Sequence, residues 1–438
     1  MMVRRWFAGI ALGLGLALCM PVVSGEVAMA ALAVRTADAV LGQLDFNTNE
    51  CNHFGVTARS FCRTSRVVVD PASGRLYVSD NSNSRVLSWP SAHSFTNGQA
   101  ADLVLGQPDF TAGGPGRCNG GFASGSPATA DTLCAPQGLA VDRHGTLYVA
   151  DSANNRVVRY KRPHRNGQGA DLVLGQPDFS GQGCNLSLVI APPSARTLCF
   201  PTGVAVDARG TLFVADSANR RVLRFERPRT NFQAADLILG QATFTAVSLA
   251  GCNLGLDATT LCGAIDVAID RRGALYALDA QISRVLRYDH PRTNGQAADL
   301  VLGQADFSSS AFHCSFPGGL SATGGVSATG LCFPHSMALD RQGNLFVADT
   351  GNARVLRFSH PDSSGQAADL VLGQPDFSSG TQCGAFTARM VNARSLCTPE
   401  GVAVDRQGDV LVSDALDNRV LRFNGSGSEE DDEGSSQG

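Results

Sequence analysis

The chain repeats one pattern of cysteine, aspartate and arginine six times. In every copy a cysteine precedes an aspartate by eight residues, at Cys62/Asp70, Cys134/Asp142, Cys199/Asp207, Cys262/Asp270, Cys332/Asp340 and Cys397/Asp405. A second aspartate follows nine or ten residues later and precedes an arginine by five, at Asp80/Arg85, Asp151/Arg156, Asp216/Arg221, Asp279/Arg284, Asp349/Arg354 and Asp414/Arg419. Adjacent copies are 63 to 72 residues apart. This spacing predicts a repeat protein in which each copy is one structural unit with a long loop.

Each repeat has the pattern of four short β-strands. Residues 203–207, 211–215, 221–225 and 235–240 are apolar runs rich in β-branched and aromatic residues. Turn signals containing Gly, Pro, Asn and Asp separate the runs, and none of the runs has a helical period. Four antiparallel strands per unit, repeated six times, predict an all-β, six-bladed β-propeller.

The two ends of the repeat region complement each other. Residues 38–43 match the fourth strand of a repeat but stand before the first complete copy, and the last copy stops after a third strand at residues 420–423. We therefore expect the N-terminal strand to complete the last blade, because this pairing removes an open sheet edge. The predicted propeller domain covers residues 31–424.

Residues 1–30 have the features of a secretory signal peptide. Arg4 and Arg5 precede an apolar run over Trp6–Cys19, and residues 28–30 offer a small-residue cleavage site. The run is too short to favour a membrane span, and no later stretch reaches about 18 apolar residues. We predict export to the periplasm or the medium.

The cysteine count fits such an export. The signal segment contains one of the 13 cysteines, and the remaining 12 give two per repeat. An even number in an exported chain predicts a disulfide framework, whereas zinc sites usually require closer spacing than any pair here has. Since each pair lies within one connecting segment, the predicted disulfides are Cys51–Cys62, Cys118–Cys134, Cys184–Cys199, Cys252–Cys262, Cys314–Cys332 and Cys383–Cys397.

Charge excludes little except nucleic-acid binding. The formal net charge is −4, and residues 429–433 contribute five negative charges, so the rest of the chain is close to neutral. Nucleic-acid-binding proteins usually show a basic excess or stripe, and we therefore expect no nucleic-acid partner. Residues 425–438 are rich in Gly, Ser and acidic residues, which predicts a disordered acidic tail.

Several recurring motifs resemble those of a known repeat family. Gly-x-Ala-Val-Asp and Leu-Tyr/Phe-Val-Ala-Asp strands precede the turn Asp-x-x-Asn-x-Arg-Val, which occurs at residues 80–86, 151–157, 216–222 and 349–355. Together these elements resemble the NHL repeat over residues 38–424. The element Leu-Gly-Gln-Pro-Asp-Phe is similar to that of a secreted bacterial subgroup of NHL proteins, and it occurs at residues 105–110, 174–179 and 372–377. The resemblance implies a propeller, but the family includes protein- and RNA-binding modules and related propellers include metal-dependent lyases, so it selects no activity.

Residues that recur in every blade are best explained by what every blade needs. We expect the second aspartate of each repeat to accept hydrogen bonds from turn backbone and its arginine to pair with it or cover a blade edge. We expect the phenylalanines of the Gln-x-Asp-Phe element to be core residues; these are Phe46, Phe110, Phe179, Phe244, Phe307 and Phe377.

Ionisable residues break the sixfold pattern just after the second cysteine, where the chain enters the innermost strand. The third and fourth positions after this cysteine include Arg66, Asp266, His335 and Glu400 in different blades. We expect these four side chains to lie exposed and close together at the channel mouth, on the face of the disulfide loops, and they are the candidate ligand-binding residues. Asp266, His335 and Glu400 combine imidazole and carboxylate groups that could hold a divalent cation, while a structural polar lining is the alternative.

No catalytic motif supports an enzymatic function. The sequence contains no Gly-x-Ser-x-Gly elbow, phosphate-binding loop or His-Glu-x-x-His pattern, and we predict no catalytic residues and no cofactor. Loops of variable length on a rigid scaffold commonly bind ligands. We therefore predict an exported, monomeric, non-catalytic module that recognises a protein, glycan or small molecule through disulfide-tied loops. The alternative is a metal-assisted lyase or hydrolase with its site at the channel mouth.

Overall fold

Six antiparallel sheets of four strands each form a ring of blades. A computed structural model describes residues 35–53, 55–119, 121–122, 126–187, 191–246, 252, 255–314, 325–380 and 391–425. The predicted signal peptide and nearly all of the predicted acidic tail lie outside these residues. Within the described ranges, no helix is long and apolar enough to cross a membrane.

The strands are short and follow one another in the same order in every blade. Blade 1 contains Thr64–Val69 (β2), Leu76–Asp80 (β3), Arg85–Trp89 (β4) and Leu103–Leu105 (β5). A small hairpin, Arg117–Cys118 (β6) and Gly121–Phe122 (β7), precedes blade 2, which contains Pro136–Val141 (β8), Thr146–Asp151 (β9), Arg156–Lys161 (β10) and Leu172–Leu174 (β11). Blade 3 contains Pro201–Val206 (β12), Leu212–Asp216 (β13), Arg221–Phe225 (β14) and Leu237–Leu239 (β15).

The second half of the ring repeats this arrangement. Blade 4 contains Ala264–Ile269 (β16), Leu275–Asp279 (β17), Arg284–Tyr288 (β18) and Leu300–Leu302 (β19). Blade 5 contains Ser336–Leu339 (β20), Leu345–Asp349 (β21), Arg354–Phe358 (β22) and Leu370–Leu372 (β23). Blade 6 contains Pro399–Val404 (β24), Val410–Asp414 (β25), Arg419–Phe423 (β26) and the first strand of the chain, Ala39–Leu41 (β1).

The first and last strands close the ring, as the sequence predicts. Strand β1 runs antiparallel to β26, with Ala39 opposite Arg422 and Leu41 opposite Val420. An ion pair of 2.6 Å between Arg422 and Asp38 supports this strand pairing at the N-terminal end of β1. The six-bladed propeller and its closure by the N-terminal strand are therefore confirmed.

The core lies between blades rather than within one blade. All five residues of β13 are buried, because side chains from both faces of the sheet contact a neighbouring blade. One apolar cluster, for example, combines Leu212, Val214 and Leu223 of blade 3 with Tyr148 and Val157 of blade 2. The phenylalanines of the Gln-x-Asp-Phe element pack at the edges of such clusters and are partly buried, and they are Phe46, Phe110, Phe179, Phe244, Phe307 and Phe377.

The repeated Asp–Arg pairs are completely buried and connect several segments of one blade. In blade 3, Asp216 accepts hydrogen bonds from the Cys199 amide at 2.7 Å, the Asn219 side chain at 2.8 Å and Arg221 Nε at 2.7 Å. The guanidinium of Arg221 also donates to the carbonyls of Ser194, Thr197 and Phe244, which lie in the two loops beside the blade. The pair therefore fixes the disulfide segment and the Gln-x-Asp-Phe element onto the sheet.

We expect Arg221→Ala to lower the free energy of unfolding by about 3–5 kcal/mol, because it leaves the buried Asp216 carboxylate without its cation. Arg224→Ala is the matched control, since Arg224 pairs with Asp236 on the surface of the same blade at 2.7 Å. An exposed pair of this kind contributes at most about 1 kcal/mol. Urea unfolding of both variants measures the difference, and equal losses would contradict the structural role of the buried pair.

Candidate functional site

The strand order gives the propeller two unlike faces. The segments that contain the disulfides and the one-turn helices between second and third strands lie on one face, called the disulfide face here. The opposite face carries the turns between first and second strands and the loops between third and fourth strands, and it is called the turn face. Successive strands are antiparallel, so each inner strand begins at the disulfide face and ends at the turn face.

Local disulfides tie the loops of the disulfide face. Five of the predicted pairs are bonded in the structure, with Cα atoms 4.4–5.6 Å apart, and these are Cys51–Cys62, Cys118–Cys134, Cys184–Cys199, Cys252–Cys262 and Cys314–Cys332. Cys397 is also disulfide-bonded, and its predicted partner, Cys383, lies outside the described residues. Each bond joins a cysteine in the loop to a cysteine just before the innermost strand of a blade. The disulfide therefore holds the loop against the blade.

Arg66 crosses the central channel from blade 1 to the opposite side of the ring. Its guanidinium donates hydrogen bonds to the carbonyls of His335 in blade 5 and Glu400 in blade 6, and more weakly to that of Ile265 in blade 4, at 3.4 Å. The residue is 6% exposed. One side chain thus connects the inner strands of four blades and closes the channel near the disulfide face.

Asp266 supplies the counter-charge for this arginine. One of its carboxylate oxygens lies 3.6 Å from Arg66 Nε and accepts a hydrogen bond of 2.9 Å from the Met337 amide. Burial raises the pKa of the Asp266 carboxyl, and the Arg66 charge and the Met337 amide oppose that rise. Asp266 therefore contributes to a buried network that joins blades 1, 4 and 5.

His335 and Glu400 lie on the outer side of this network. Burial and the positive charges of Arg66 and Arg63 lower the pKa of His335 to about 4, so the imidazole is neutral near pH 7. A carboxylate oxygen of Glu400 lies 3.7 Å from the exposed guanidinium of Arg63. Burial raises the pKa of Glu400, while Arg63 and Arg66 lower it.

The structure thus brings the four predicted residues together but not in the exposed form expected from sequence. Arg66 and Asp266 are buried, because the innermost strands lie close together around the channel. Glycines at the equivalent position let the inner strands approach closely: a Cβ on Gly203 would lie 2.6 Å from the Asp266 Cα, and one on Gly401 would clash with the Ser65 carbonyl oxygen. The narrow channel that results can be spanned by one arginine.

The charges in this cluster are largely balanced within the protein. Two arginines, Arg63 and Arg66, face the two carboxylates, and the histidine is neutral. A divalent cation bound by Asp266, His335 and Glu400 would have to sit beside the Arg66 guanidinium, which repels it. The geometry therefore suits a structural clamp better than a metal centre.

The channel itself opens toward the turn face. A cavity of about 390 Å³ extends from Arg66 and Asp266 along the inner strands, and its walls include Val204 and Val402. Arg271, Arg341 and Arg406 stand among the residues at its outer end. The open end of the channel therefore lies on the face opposite the disulfides.

Sequence reasoning missed a group of exposed apolar side chains. The exposed large hydrophobic residues among the described positions are Leu44, Leu186, Phe200 and Leu416. Leu186, Phe200 and Leu416 lie on the disulfide face, in a disulfide segment or in the turn between a second and a third strand, whereas Leu44 lies beside Gly98 of the loop between β4 and β5. A comparison of the position after the second cysteine would have revealed one of them, since the equivalents of Phe200 are Arg63, Ala135, Gly263, Phe333 and Thr398.

Two family models match the chain, and they agree with the blade structure. The Teneurin NHL domain model matches residues 56–162, and the NHL repeat model matches residues 198–225, 331–358 and 396–423. Each NHL match begins one residue before a second cysteine and ends at the last residue of the third strand of blade 3, 5 or 6. The chain is an NHL-repeat β-propeller.

Curated relatives resemble the propeller over part of their own length. Teneurin-3 of Danio rerio is 28% identical over 306 residues, which are 67% of this chain and 10% of the teneurin. Peptidyl-alpha-hydroxyglycine alpha-amidating lyase 1 of Drosophila melanogaster is 36% identical over 117 residues, which are 26% of this chain and 18% of the lyase. Among solved structures, Kuenenia stuttgartiensis hydrazine synthase aligns over 84% of this chain and 96% of its own at 12% identity, with a TM-score of 0.47. That score adds nothing to the fold established by the strands.

If the ion pair of Arg66 and Asp266 clamps the NHL propeller, the effects of Arg66→Ala and Asp266→Ala on the free energy of unfolding should not be additive. Arg66→Ala leaves a buried carboxylate unpaired, and Asp266→Ala leaves a buried guanidinium unpaired, so each should cost about 3–5 kcal/mol of unfolding free energy. The double variant should cost about 1–3 kcal/mol less than the sum of the two. Urea unfolding of the four proteins gives this cycle, and strict additivity would show that the two charges do not interact.

The partly buried His335 of the NHL propeller predicts a loss of stability in mild acid. The pKa of His335 is about 4 in the folded protein and about 6.5 in an unfolded chain. Between these values the unfolded state binds the extra proton, so the free energy of unfolding falls by about 1.4 kcal/mol for each pH unit below 6.5 and stops falling near pH 4.

His335→Gln should remove this slope, so the wild type should lose about 2 kcal/mol relative to the variant between pH 6.5 and pH 5. His290→Gln serves as the control, because the His290 side chain is 48% exposed on the turn face. Urea unfolding over this pH range tests the expectation. Parallel curves for wild type and His335→Gln would contradict it.

Proposed function

We propose that the protein is a non-catalytic interaction module that binds a macromolecular partner, with a protein favoured over a glycan, through its disulfide face. The observation that carries this proposal is the one-sided distribution of exposed apolar side chains. Scattered exposed hydrophobic residues are normal on a soluble protein. Here three of the four exposed large hydrophobic residues among the described positions, Leu186, Phe200 and Leu416, are 43–48% exposed and lie on the face whose loops are cross-linked.

Two of these residues flank one disulfide. Leu186 follows Cys184 by two residues, and Phe200 directly follows Cys199, the other half of the same bond. Phe200 has φ of 50°, and its amide donates a hydrogen bond of 2.7 Å to the Asn155 side chain of blade 2. A backbone held in this way loses little conformational freedom when a partner binds, and aromatic residues dominate the energetics of many interfaces.

The closed channel argues for a broad partner rather than a small molecule on this face. Small-molecule sites are generally concave and enclose most of the ligand. On the disulfide face the Arg66 side chain fills the position where such a pocket would begin. A protein or glycan that contacts several loops needs no deep pocket.

The alternative function is a metal-assisted lyase with its site at the channel mouth. One relative is named a peptidyl-alpha-hydroxyglycine alpha-amidating lyase, but the match spans 26% of this chain. The charge of Arg66 between the candidate ligands weighs against a cation there. Local disulfides support the further proposal that the module works in the periplasm or outside the cell.

Photo-crosslinking would test which face binds. One variant would carry a photo-crosslinker at position 200, and a control variant would carry it at position 271 on the turn face. Each variant would be incubated with the extracellular fraction of the producing cells and with a glycan array. We expect a specific adduct from position 200. The affinity of the recovered partner should then fall about 10- to 30-fold for Leu186→Ser/Phe200→Ser.

The matched variant Arg271→Ser/Arg341→Ser changes two exposed residues at the open end of the channel and should bind the partner as the wild type does. The opposite pattern, with binding lost only in this turn-face variant, would overturn the proposal and move the site to the channel. Turnover of a substrate that depends on added metal and on His335 would favour the lyase.

A further inference from the structure

A second symmetry break lies on the turn face, where blade 6 meets blade 1. His93 lies in the loop between β4 and β5 of blade 1, and Asp405 and Asp409 flank the turn between β24 and β25 of blade 6. The His93 Nδ1 lies 2.6 Å from an oxygen of Asp409 and 3.9 Å from an oxygen of Asp405. One ligand atom from each residue falls within 4.8 Å of the other two.

One of these carboxylate oxygens has no hydrogen-bond partner among the described residues. Oδ2 of Asp405 is fully buried and unpaired, although the other oxygen accepts bonds from the amides of Gln407 and Asp409. Leaving a buried acceptor unsatisfied costs free energy, and such an atom often marks the place of an ion or a water. The distance of 3.9 Å to His93 Nδ1 shows that this oxygen faces the cluster.

Both acids are held in place by bonds that leave the facing oxygens available. Asp409 uses its Oδ1 to accept a bond of 2.9 Å from the Gly425 amide, so its Oδ2 points at His93. The side chains of Asp405 and Asp409 are each 2% exposed. Burial and the neighbouring Asp409 charge raise the pKa of Asp405, as expected when two carboxylates share a small space.

The histidine is held from the other blade. Ala92 and Phe95, on either side of His93, are buried, and the His93 carbonyl accepts a hydrogen bond from Arg422 of blade 6. The His93 side chain is 50% exposed, which gives solvent access to the cluster. The imidazole is thus positioned by its loop and is open to an ion from solution.

This cluster is not a consequence of the repeat. Asp405 has an equivalent in every blade, but Asp409 does not: the other blades have Arg75, Thr146, Thr211, Ala274 and Asn344 at its position. Among the described residues, a second carboxylate and a histidine meet the repeated aspartate at one blade junction. That junction is the one closed by the N-terminal strand.

We propose that His93, Asp405 and Asp409 form a divalent cation site, with Zn²⁺ as the preferred ion. One imidazole nitrogen and two carboxylate oxygens form a donor set typical of zinc, whereas calcium takes oxygen ligands only. Two carboxylates and a neutral imidazole balance the charge of the ion. Ligand atoms about 2.0–2.2 Å from a tetrahedral ion lie about 3.4 Å apart. The distance of 2.6 Å from His93 Nδ1 to Asp409 must therefore widen, and that of 3.9 Å from His93 Nδ1 to Asp405 must narrow. Each change is less than about 1 Å.

The bound ion would connect two blades that share no strand. It would take the place of the direct contact between His93 and Asp409, satisfy the buried Asp405 oxygen and join the blade 1 loop to the blade 6 turn. Because the site is on the turn face, this inference is independent of the proposed partner site on the disulfide face.

Zinc binding to the purified full chain would test the site after treatment with a chelator. Competition with a chromogenic chelator should give one high-affinity Zn²⁺ per molecule, and saturating Zn²⁺ should raise Tm by a few degrees. His93→Ala changes an exposed residue, so it should fold normally, bind Zn²⁺ at least about 10-fold more weakly and lose the rise in Tm. Asp409→Asn should have the same effect.

His290→Ala is the matched control. His290 also contacts a carboxylate, at 2.5 Å from Asp289, but within the described part of the chain it forms no group with a second acid at ligand distance, so zinc affinity should be unchanged. Equal binding by wild type and His93→Ala, or no stoichiometric binding by the wild type, would overturn the proposal. Tight binding of Ca²⁺ that does not depend on His93 would also overturn it, since the site would then be an acidic pair alone.

Discussion

The buried pair of aspartate and arginine is the interaction on which each blade depends. Six such pairs have no solvent exposure of their side chains. A buried charge must be paired and hydrogen-bonded to be tolerated, and here every arginine also donates to loop carbonyls. In blade 1, Arg85 binds the carbonyls of Thr57, Ser60 and Phe110. The pair therefore organises the loops as well as the sheet.

The channel adds a constraint that acts on the ring as a whole. Apolar packing joins each blade to its neighbours, but Arg66 also reaches blades 4 and 5, which are not neighbours of blade 1 in the ring. The residue is unique to one blade, so the clamp is a departure from sixfold symmetry. It makes the two faces different: a closed surface with cross-linked loops on one side and an open channel on the other.

The sequence could predict the fold because the same information recurs six times. Strand order, ring closure and local disulfide pairs each follow from spacing that a single copy would leave ambiguous. It could also predict that Arg66, Asp266, His335 and Glu400 converge, since they occupy equivalent inner positions. It could not predict that Arg66 extends across the channel, because that depends on how closely glycines such as Gly203 and Gly401 let the strands approach.

The cluster at the blade junction was hidden for a different reason. Asp405 belongs to the repeated pattern and does not stand out from its equivalents, and His93 is 316 residues from Asp409 in sequence. Nothing in the local sequence indicates that these residues meet. Only the closure of the ring brings them together.

Closure also sets an order for folding. The strands of blades 1 to 5 come from one continuous segment each, and five disulfides join cysteines only 10–18 residues apart. Blade 6 must instead bring together residues 384 apart. Contacts between distant parts of a chain form slowly, and domains emerge from synthesis with the N-terminal part first. We therefore expect the first strand to pair with β26 late, after most of the ring has formed, so that closure of the ring is among the last steps of folding.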